Sequence, residues 1–257
     1  MQDLTWQDVD QYIEDHDSPV VLVPIGSTEQ HGPHLPLGVD AYQALDLAEG
    51  IAETANVLTT PPIWFGDAAH HLGFPGTISL STETVVALLT DVYDSLALHG
   101  FENIITINGH RVANLPAIET ATKQATEAHP ESHFAIVDPL RIGVQVHERL
   151  RDGGAEDGMH GGEFETSFMQ AKHPELVKEK AFVRETHKGF SRFHSNNLID
   201  LDDTVLSPST RRRPEEGYLG HVGDPTKASP KKGEQIYDTV VENTVTYIEE
   251  LLASQEG

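Results

Sequence analysis

The amino-acid sequence predicts an α/β protein whose mostly parallel sheet is covered by helices on both faces. Residues 20–25 and 103–107 are rich in β-branched side chains and lack the apolar–polar alternation of a half-exposed strand, so both of their faces are expected to be buried. Each run ends at a glycine turn and is followed by a helical pattern. The chain has 257 residues and no linker or internal repeat, which predicts a single domain over residues 1–257.

The first part of the chain predicts a helix, a strand and a second helix. Thr5 can cap the first helix, and Asp8 lies where a negative charge favours the helix dipole. Residues 20–25 form the first strand, and short strand pieces are expected at 56–59 and 63–65. Apolar residues recur at helical spacing after Asp40, so Asp40 is either an N-cap or a functional group.

The rest of the chain continues the alternation of helices and strands. Ser81 or Thr82 caps a long helix that ends at Gly100, and the later helix that begins at Pro230 is capped by Ser229. Residues 182–223 lack periodicity and are expected to form long excursions over the sheet. The remaining expected elements are strands at 77–80, 103–107 and 134–137, helices near 113–128 and after 160, and an amphipathic segment at 140–150.

The composition is strongly acidic and excludes several classes of protein. Asp and Glu number 41 against 17 Lys and Arg, giving a formal net charge of -24, which repels nucleic acid and anionic membranes. The basic run at 211–213 is interpreted as a solvated loop. The chain has no cysteine, which excludes disulfides, thiolate metal sites and a cysteine nucleophile. No apolar run is long enough to span a bilayer and no secretory signal is recognised, so a cytoplasmic location is expected.

A dispersed acidic surface with few lysines is typical of proteins from a high-salt cytoplasm. Carboxylates continue to bind water when salt is concentrated, so this composition predicts a halophilic protein. We expect its resistance to unfolding to increase between low and molar salt.

Residues 24–40 contain the densest group of chemically competent side chains. Glu29, His31, His34 and Asp40 stand among glycines and prolines at the carboxyl end of the first strand, where open α/β sheets bind ligands. Glutamate, histidine and aspartate are metal ligands, and a Glu-x-His pair in extended backbone directs both side chains to one side. The alternative is a polar surface loop that happens to contain histidine.

Two further segments offer groups of the same kind. His110 follows the strand at 103–107, and His160, Glu163 and Glu165 lie where a later helix begins. The carboxyl ends of parallel strands share one edge of the sheet, so these groups are expected to converge with those of the first loop. Imidazoles and carboxylates without thiolates suit Zn, Mn or Fe, and a bridging carboxylate can hold two divalent ions that activate a water for hydrolysis.

Motifs along nearly the whole chain resemble, in order, those of the creatininase (creatinine amidohydrolase) family. They are GSTEQHGPHLP at 26–36, HLGFPGT at 71–77, NGH at 108–110 with Asn114, HGGEFETS at 160–167 and GDPTKA at 223–228. The resemblance implies a three-layer α/β/α fold, a dinuclear metal site and cleavage of a C–N bond in a cyclic or other non-peptide amide. It also implies a homo-oligomer, commonly a hexamer.

The resemblance further implies the metal ligands. Glu29 and His110 would bind one metal, His31 the other, and Asp40 would bridge the two. Family members that lack an acidic residue two places after the Asn-Gly-His histidine use the glutamate of His-Gly-Gly-Glu instead. Val112 occupies that place here, so Glu163 is the expected last ligand.

The remaining roles concern catalysis and the substrate. His160 resembles the catalytic histidine, which would move a proton between the attacking water and the leaving nitrogen. Glu165 is expected to support the ligands from behind or to cap its helix, and His71 is a candidate substrate-binding residue. Family members that open creatinine carry an aromatic residue and a tryptophan at the places that Arg111 and Glu156 occupy here.

Without these two aromatic side chains, the chain lacks the aromatic slot that would bind a substrate with a flat neutral ring. If Arg111 faces the site, it favours a carboxylate or phosphate on the substrate; the equal alternative is a surface arginine or one paired with a nearby acid. The leading interpretation is a metal-dependent amidohydrolase acting on a small polar amide, with creatinine itself included. The alternatives are an enzyme that trims a modified peptide during redox-cofactor maturation, and a metal-binding oligomer without turnover.

Overall fold

Four parallel strands form a sheet between two layers of helices in the computed structural model, which describes residues 1–154, 160–186 and 214–255. The strands are β1 (Val20–Ile25), β2 (Leu58–Thr59), β3 (Asn103–Asn108) and β4 (His133–Val137), in the spatial order β2-β1-β3-β4. All three neighbouring pairs are parallel, and Ile25 is paired with Asn108 in the register of β1 and β3. The carboxyl ends of the two central strands therefore lie side by side.

The described helices cover both faces of this sheet. They are α1 (Trp6–Glu14), α2 (Val39–Ala55), α3 (Thr82–Leu98), α4 (Arg111–Ala128), α5 (Pro139–Ile142), α6 (Val144–Leu150), α7 (Glu163–Lys172) and α8 (Pro230–Gln255). Side chains of β1 alternate between the two cores. Val20 and Leu22 pack with α2, α7 and α8, whereas Val21 and Val23 pack with α3 and α4. This arrangement confirms the predicted α/β/α layers.

Most predicted elements are present, with three differences of physical interest. Residues 63–65 and 77–80 make only isolated bridges, such as Ile25–Ile63, because the chain there runs beside strand ends without a continuous partner. The amphipathic segment at 140–150 is split at Gly143 into α5 and α6. The N-cap of α2 is Gly38 and not Asp40, which leaves the Asp40 carboxylate available for other contacts.

Two predictions fall on residues outside the described ranges. The basic run at 211–213 and most of the predicted excursion at 182–223 belong to this part, as does Glu156. The described ends of the excursion meet in an antiparallel bridge between Glu185 and Gly223. Among the described residues, no helix combines the length and the hydrophobicity that crossing a membrane requires.

Candidate metal centre

Tight packing at the end of β1 brings the first group of side chains together. A Cβ at position 26 would collide with the backbone of Ala41, so Gly26 allows the end of the strand to lie directly against the start of α2. The loop between them is closed by a hydrogen bond of 2.8 Å from the backbone N–H of Glu29 to the carbonyl of Leu37. The side chains of Glu29, His31 and Asp40 are consequently buried at one point of the sheet edge.

Asp40 lies between two histidines that come from different strands. Its Oδ1 is 3.1 Å from Nε2 of His31, and its Oδ2 is 3.1 Å from Nδ1 of His110. Oε2 of Glu29 is 3.3 Å from Nε2 of His110. The structure thus joins the loop after β1 to the end of β3, as the register of the two strands predicts.

The segment before α7 adds a third histidine and a third carboxylate. Oε2 of Glu165 is 3.6 Å from Nε2 of His31 and accepts a hydrogen bond of 2.6 Å from the backbone N–H of Gly161. The ring of His160 lies 4.4 Å from that of His31, with 40° between their planes, and its Nδ1 is 3.7 Å from Oε1 of Glu29. Its Nε2 is 2.8 Å from the backbone carbonyl of Gln30, to which it donates in one tautomer, and 2.9 Å from the side-chain amide nitrogen of Gln30, from which it accepts in the other.

Three overlapping groups of these side chains have the spacing of metal ligands. Within each group, one potential ligand atom per residue lies within 4.8 Å of the others. The groups are Glu29, His70 and His110; Glu29, His31 and His160; and His31, Asp40 and Glu165. Oε1 of Glu29 and Oδ2 of Asp40 are buried and accept no hydrogen bond of good geometry in the described part of the chain, although histidine nitrogens lie within ion-pair distance of both. Buried carboxylate oxygens in that state fit a bound cation.

The buried carboxylates perturb one another and the imidazoles between them. Burial raises the pKa of Glu29 to about 8 and that of Glu165 to about 7, although nearby histidines partly offset this effect. Burial also acts against the ionised form of Asp40, but His31 and His110 outweigh it and hold the pKa of Asp40 below its usual range. Three carboxyl groups that converge in a buried site repel one another when ionised, and bound divalent ions would offset this repulsion.

The histidines respond in opposite directions according to their neighbours. Burial lowers the pKa of His31 and His110, yet Asp40 and the glutamates outweigh it and raise the two values to about 10 and about 9. Burial and neighbouring imidazoles instead lower the pKa of His160 and His71. The centre therefore combines positions that favour a cation with positions that favour a neutral base.

The structure does not bring Glu163 to this cluster. Its carboxylate accepts hydrogen bonds from the backbone N–H groups of Asp152 and Gly153, at 3.1 to 3.2 Å, and pairs with the ammonium group of Lys232. Glu163 and Glu165 lie two residues apart on α7 and consequently face different sides of the helix. Glu165 occupies the place for which Glu163 was expected.

The candidate substrate-binding residues have different surroundings. Nε of Arg111 donates a hydrogen bond of 2.6 Å to Oδ2 of Asp138, so the alternative of pairing with a nearby acid is the observed one. His71 lies inside the cluster: its ring stacks 4.4 Å from that of His160, and its Nε2 is 3.5 Å from Oε1 of Glu29. Val112 is 59% exposed and offers no ligand atom.

Sequence reasoning missed two residues of the centre and underrated a third. His70 directly precedes the HLGFPGT motif and Gln30 lies within the GSTEQHGPHLP motif, but neither is predicted as a site residue. The amide nitrogen of Gln30 lies 2.9 Å from Nδ1 of His71 and 2.6 Å from the carbonyl of Gly220. Glu165 was expected in a supporting role; the helical spacing of Glu163 and Glu165 indicated that only one of them can face the cluster, without indicating which.

Comparisons with known proteins agree with this architecture. The family model described as Creatininase, creatinine amidohydrolase, matches residues 2–248. The mycofactocin precursor peptide peptidase of Mycobacterium ulcerans is 28% identical over 93% of this chain and 88% of its own length. The creatinine amidohydrolase of Pseudomonas putida is 26% identical over 96% of this chain and 95% of its own length. The 3-dehydro-scyllo-inosose hydrolase of Thermotoga maritima is 29% identical over 79% of this chain and 63% of its own length.

Solved structures extend the agreement to three dimensions. A crystal structure of creatinine amidohydrolase superposes with a TM-score of 0.83 at 26% identity, covering 97% of this chain and 96% of that chain. Two other creatininase structures, described as a manganese form and a zinc–zinc mutant form, superpose with TM-scores of 0.80 and 0.79. The parallel sheet and its helical layers are therefore shared with proteins whose descriptions name metals.

Proposed function

This chain belongs to the creatininase family, and we propose that it is a metal-dependent hydrolase that cleaves a C–N amide bond in a small cyclic or other non-peptide amide. The observation that carries the proposal is the convergence of three carboxylates and several histidines at one sheet edge. A site of this composition matches the oxygen and imidazole ligands that Zn, Mn and Fe accept.

We assign the ligands of two divalent ions from the contacts in the cluster. Glu29 and His110 would hold one ion, and His31 with Glu165 would hold the other. Asp40 would bridge them, because its two oxygens face His31 and His110 separately. Bound ions of this kind polarise a carbonyl group and lower the pKa of a coordinated water. The zinc and manganese named for related structures are the first ions to test.

His160 is the proposed catalytic residue. In the tautomer that donates from Nε2 to the Gln30 carbonyl, the basic Nδ1 is directed toward Glu29 and the interior of the cluster. An imidazole held in one tautomer can accept a proton from the attacking water and transfer it to the leaving nitrogen. Stacking between the rings of His71 and His160 restricts rotation of the base.

A second candidate function is the removal of residues from a modified peptide. Two observations favour it: Arg111 stands where creatinine-opening members carry an aromatic residue, and a relative described as a peptide peptidase is 28% identical. Arg111 is already paired with Asp138, so its charge is balanced within this chain whichever substrate is used.

The proposal is tested by removing the metal and restoring it against a panel of substrates. The protein is stripped with a chelator, reloaded with Zn or Mn, and assayed on creatinine, other cyclic amides, formyl amides and short C-terminally modified peptides. Activity that disappears on stripping and returns on reloading supports the proposal. Turnover that persists in the stripped protein would contradict it, and the preferred panel member distinguishes the two candidate functions.

Two glutamates on α7 provide a matched pair for the ligand assignment. We expect Glu165→Gln to reduce the metal content, because its carboxylate faces His31. Glu163→Gln is expected to leave the metal content unchanged, since Glu163 is engaged by Lys232. The reverse result would return Glu163 to the ligand set.

The other expectations from family and composition are also proposals. We expect a homohexamer, which light scattering of the purified protein measures directly. We also expect the free energy of unfolding to increase between low and molar salt, because acidic groups outnumber basic ones by 41 to 17. A salt-independent unfolding curve would remove the halophilic interpretation.

A further inference from the structure

With the bridging Asp40, the ion assigned to Glu29 and His110 has three side-chain ligands, which leaves a fourth position of a tetrahedral site open, and the residue two places after His110 does not fill it. Val112 occupies that place and is 59% exposed. Glu163, the expected substitute, is bound to Lys232 and to backbone N–H groups of residues 152 and 153. Neither residue supplies a ligand atom to this side of the cluster.

His70 is near enough to supply one. A ring nitrogen of His70 lies within 4.8 Å of ligand atoms of both Glu29 and His110. The rings of His70 and His110 are nearly parallel, with 6° between their planes and 5.9 Å between their centres. His70 comes from a different loop than the other two residues, so this contact depends on the fold and not on sequence proximity.

The loop that carries His70 is held in place at several points. The backbone N–H of Asp67 donates a hydrogen bond of 2.9 Å to the side-chain carbonyl of Asn114, and that of Ala68 donates one of 2.9 Å to Ser79. The carboxylate of Asp67 accepts a hydrogen bond of 2.8 Å from Thr82. His70 itself lies in a short 3₁₀ helix, Ala69–His71. A ligand needs such support, because loose positioning weakens metal binding.

We propose that His70 is a direct ligand of the ion held by Glu29 and His110. The inference rests on the proposed dinuclear function and adds a further ligand to that ion. An imidazole brings a neutral nitrogen ligand to this position and no additional negative charge. It also shifts the preference of the position toward Zn and away from Mn, because Mn favours oxygen ligands.

The test measures metal binding without reference to turnover. Wild type, His70→Ala and the control His99→Ala, which changes an exposed histidine at the end of α3, are stripped and titrated with Zn in competition with a chromophoric chelator. We expect His70→Ala to bind one of two ions at least about 10-fold more weakly and the other unchanged, as expected for loss of a ligand. His99→Ala is expected to match wild type.

Spectroscopy supplies an independent reading of the same ligand. With Co bound at both positions, His70→Ala should change the visible absorption, and X-ray absorption should detect one imidazole fewer per pair of ions. His70→Glu, which keeps a ligand atom, should retain two ions and bind Mn better relative to Zn. Thermal unfolding of each stripped variant shows whether the fold is intact.

The outcomes separate this inference from the proposed function. If wild type binds two ions and His70→Ala binds them with the same affinity and the same Co spectrum, His70 is not a ligand and only this inference is wrong. The same conclusion holds if His70→Ala lowers turnover alone. If wild type binds fewer than two ions, the proposed dinuclear function fails together with the inference.

Discussion

Buried histidines of this protein occur in two kinds of surroundings. His31 and His110 each lie 3.1 Å from an oxygen of Asp40, and their pKa values are raised to about 10 and about 9 because the carboxylates outweigh burial. His34 and His147 are equally buried but make no ion pair in the described part of the chain, and burial lowers the pKa of each to about 4. The surroundings of His31 and His110 thus favour positive charge, whereas those of His34 and His147 favour the neutral imidazole.

His34, one of the neutral histidines, holds together two segments that carry residues of the cluster. Nε2 of His34 donates to the carbonyl of Gly161 at 2.9 Å and lies 3.2 Å from the hydroxyl of Thr166. Its ring packs edge-to-face with that of His221, 5.0 Å away. His34 therefore ties the loop after β1 to the segment that carries His160. His34 lies only three residues from His31, yet its contacts are those of a structural residue.

Replacing Asp40 is expected to have the largest effect, because it removes the carboxylate that contacts both His31 and His110. In Asp40→Ala, His31 and His110 lose their shared partner, so we expect both ions to be bound far more weakly and hydrolysis to be abolished. Metal content after gel filtration and turnover of the best panel substrate are the measurements. Unchanged stoichiometry would exclude a bridging role for Asp40.

Replacing His160 should separate catalysis from metal binding. His160→Ala removes the base whose Nδ1 lies 3.7 Å from Glu29, and we expect turnover to decrease by about 10²- to 10⁴-fold, as is typical for general acid–base groups. The metal content should remain that of wild type. A variant that loses its ions as well would show that His160 is a ligand instead, which the group formed by Glu29, His31 and His160 makes a real alternative.

A neutral histidine should affect stability more than chemistry. His34→Leu leaves the carbonyl of Gly161 and the hydroxyl of Thr166 without this partner in a buried place, which costs about 1–3 kcal/mol of unfolding free energy. Denaturant unfolding of the metal-free protein measures the loss, with the exposed His99→Leu as a control expected within about 0.5 kcal/mol of wild type. A loss of metal affinity without a loss of stability would show that His34 acts together with His31 and His110 in metal binding.

The sequence predicted the strands of this fold better than its loops. Residues 20–25 and 103–107 coincide with β1 and nearly with β3, because a strand buried on both faces requires a continuous apolar run. The rule that parallel strands share a carboxyl edge was sufficient to expect Glu29 and His110 together. These conclusions depend on local pattern and topology, which a sequence records directly.

The choice between neighbouring side chains could not be predicted in the same way. Glu163 and Glu165 face different sides of α7. The side that meets the cluster depends on how α7 packs against α8, whose Lys232 forms an ion pair with Glu163. His70 lies on a loop that is held at the cluster by contacts such as that with Asn114, from α4. Such orientations arise from contacts between elements that are distant in sequence.

An effect confined to acidic pH, and the sharpest test of neutrality, is expected for His147. Its ring is buried against Phe164, with 4.7 Å between centres, and burial lowers its pKa from 6.5 to about 4. Because the unfolded chain takes up a proton at a higher pH than the folded one, this group's contribution to stability is complete above about pH 6.5 and is lost as the pH falls toward 4. By linkage the loss reaches about 2 kcal/mol at pH 5.

His147→Met cannot titrate at this position. Its unfolding free energy should therefore decrease by about 2 kcal/mol less than that of wild type between pH 7 and pH 5, whereas His99→Met should follow wild type. Parallel curves for wild type and His147→Met would show that burial does not keep this histidine neutral, and the division between the two kinds of histidine would then rest on His34 alone.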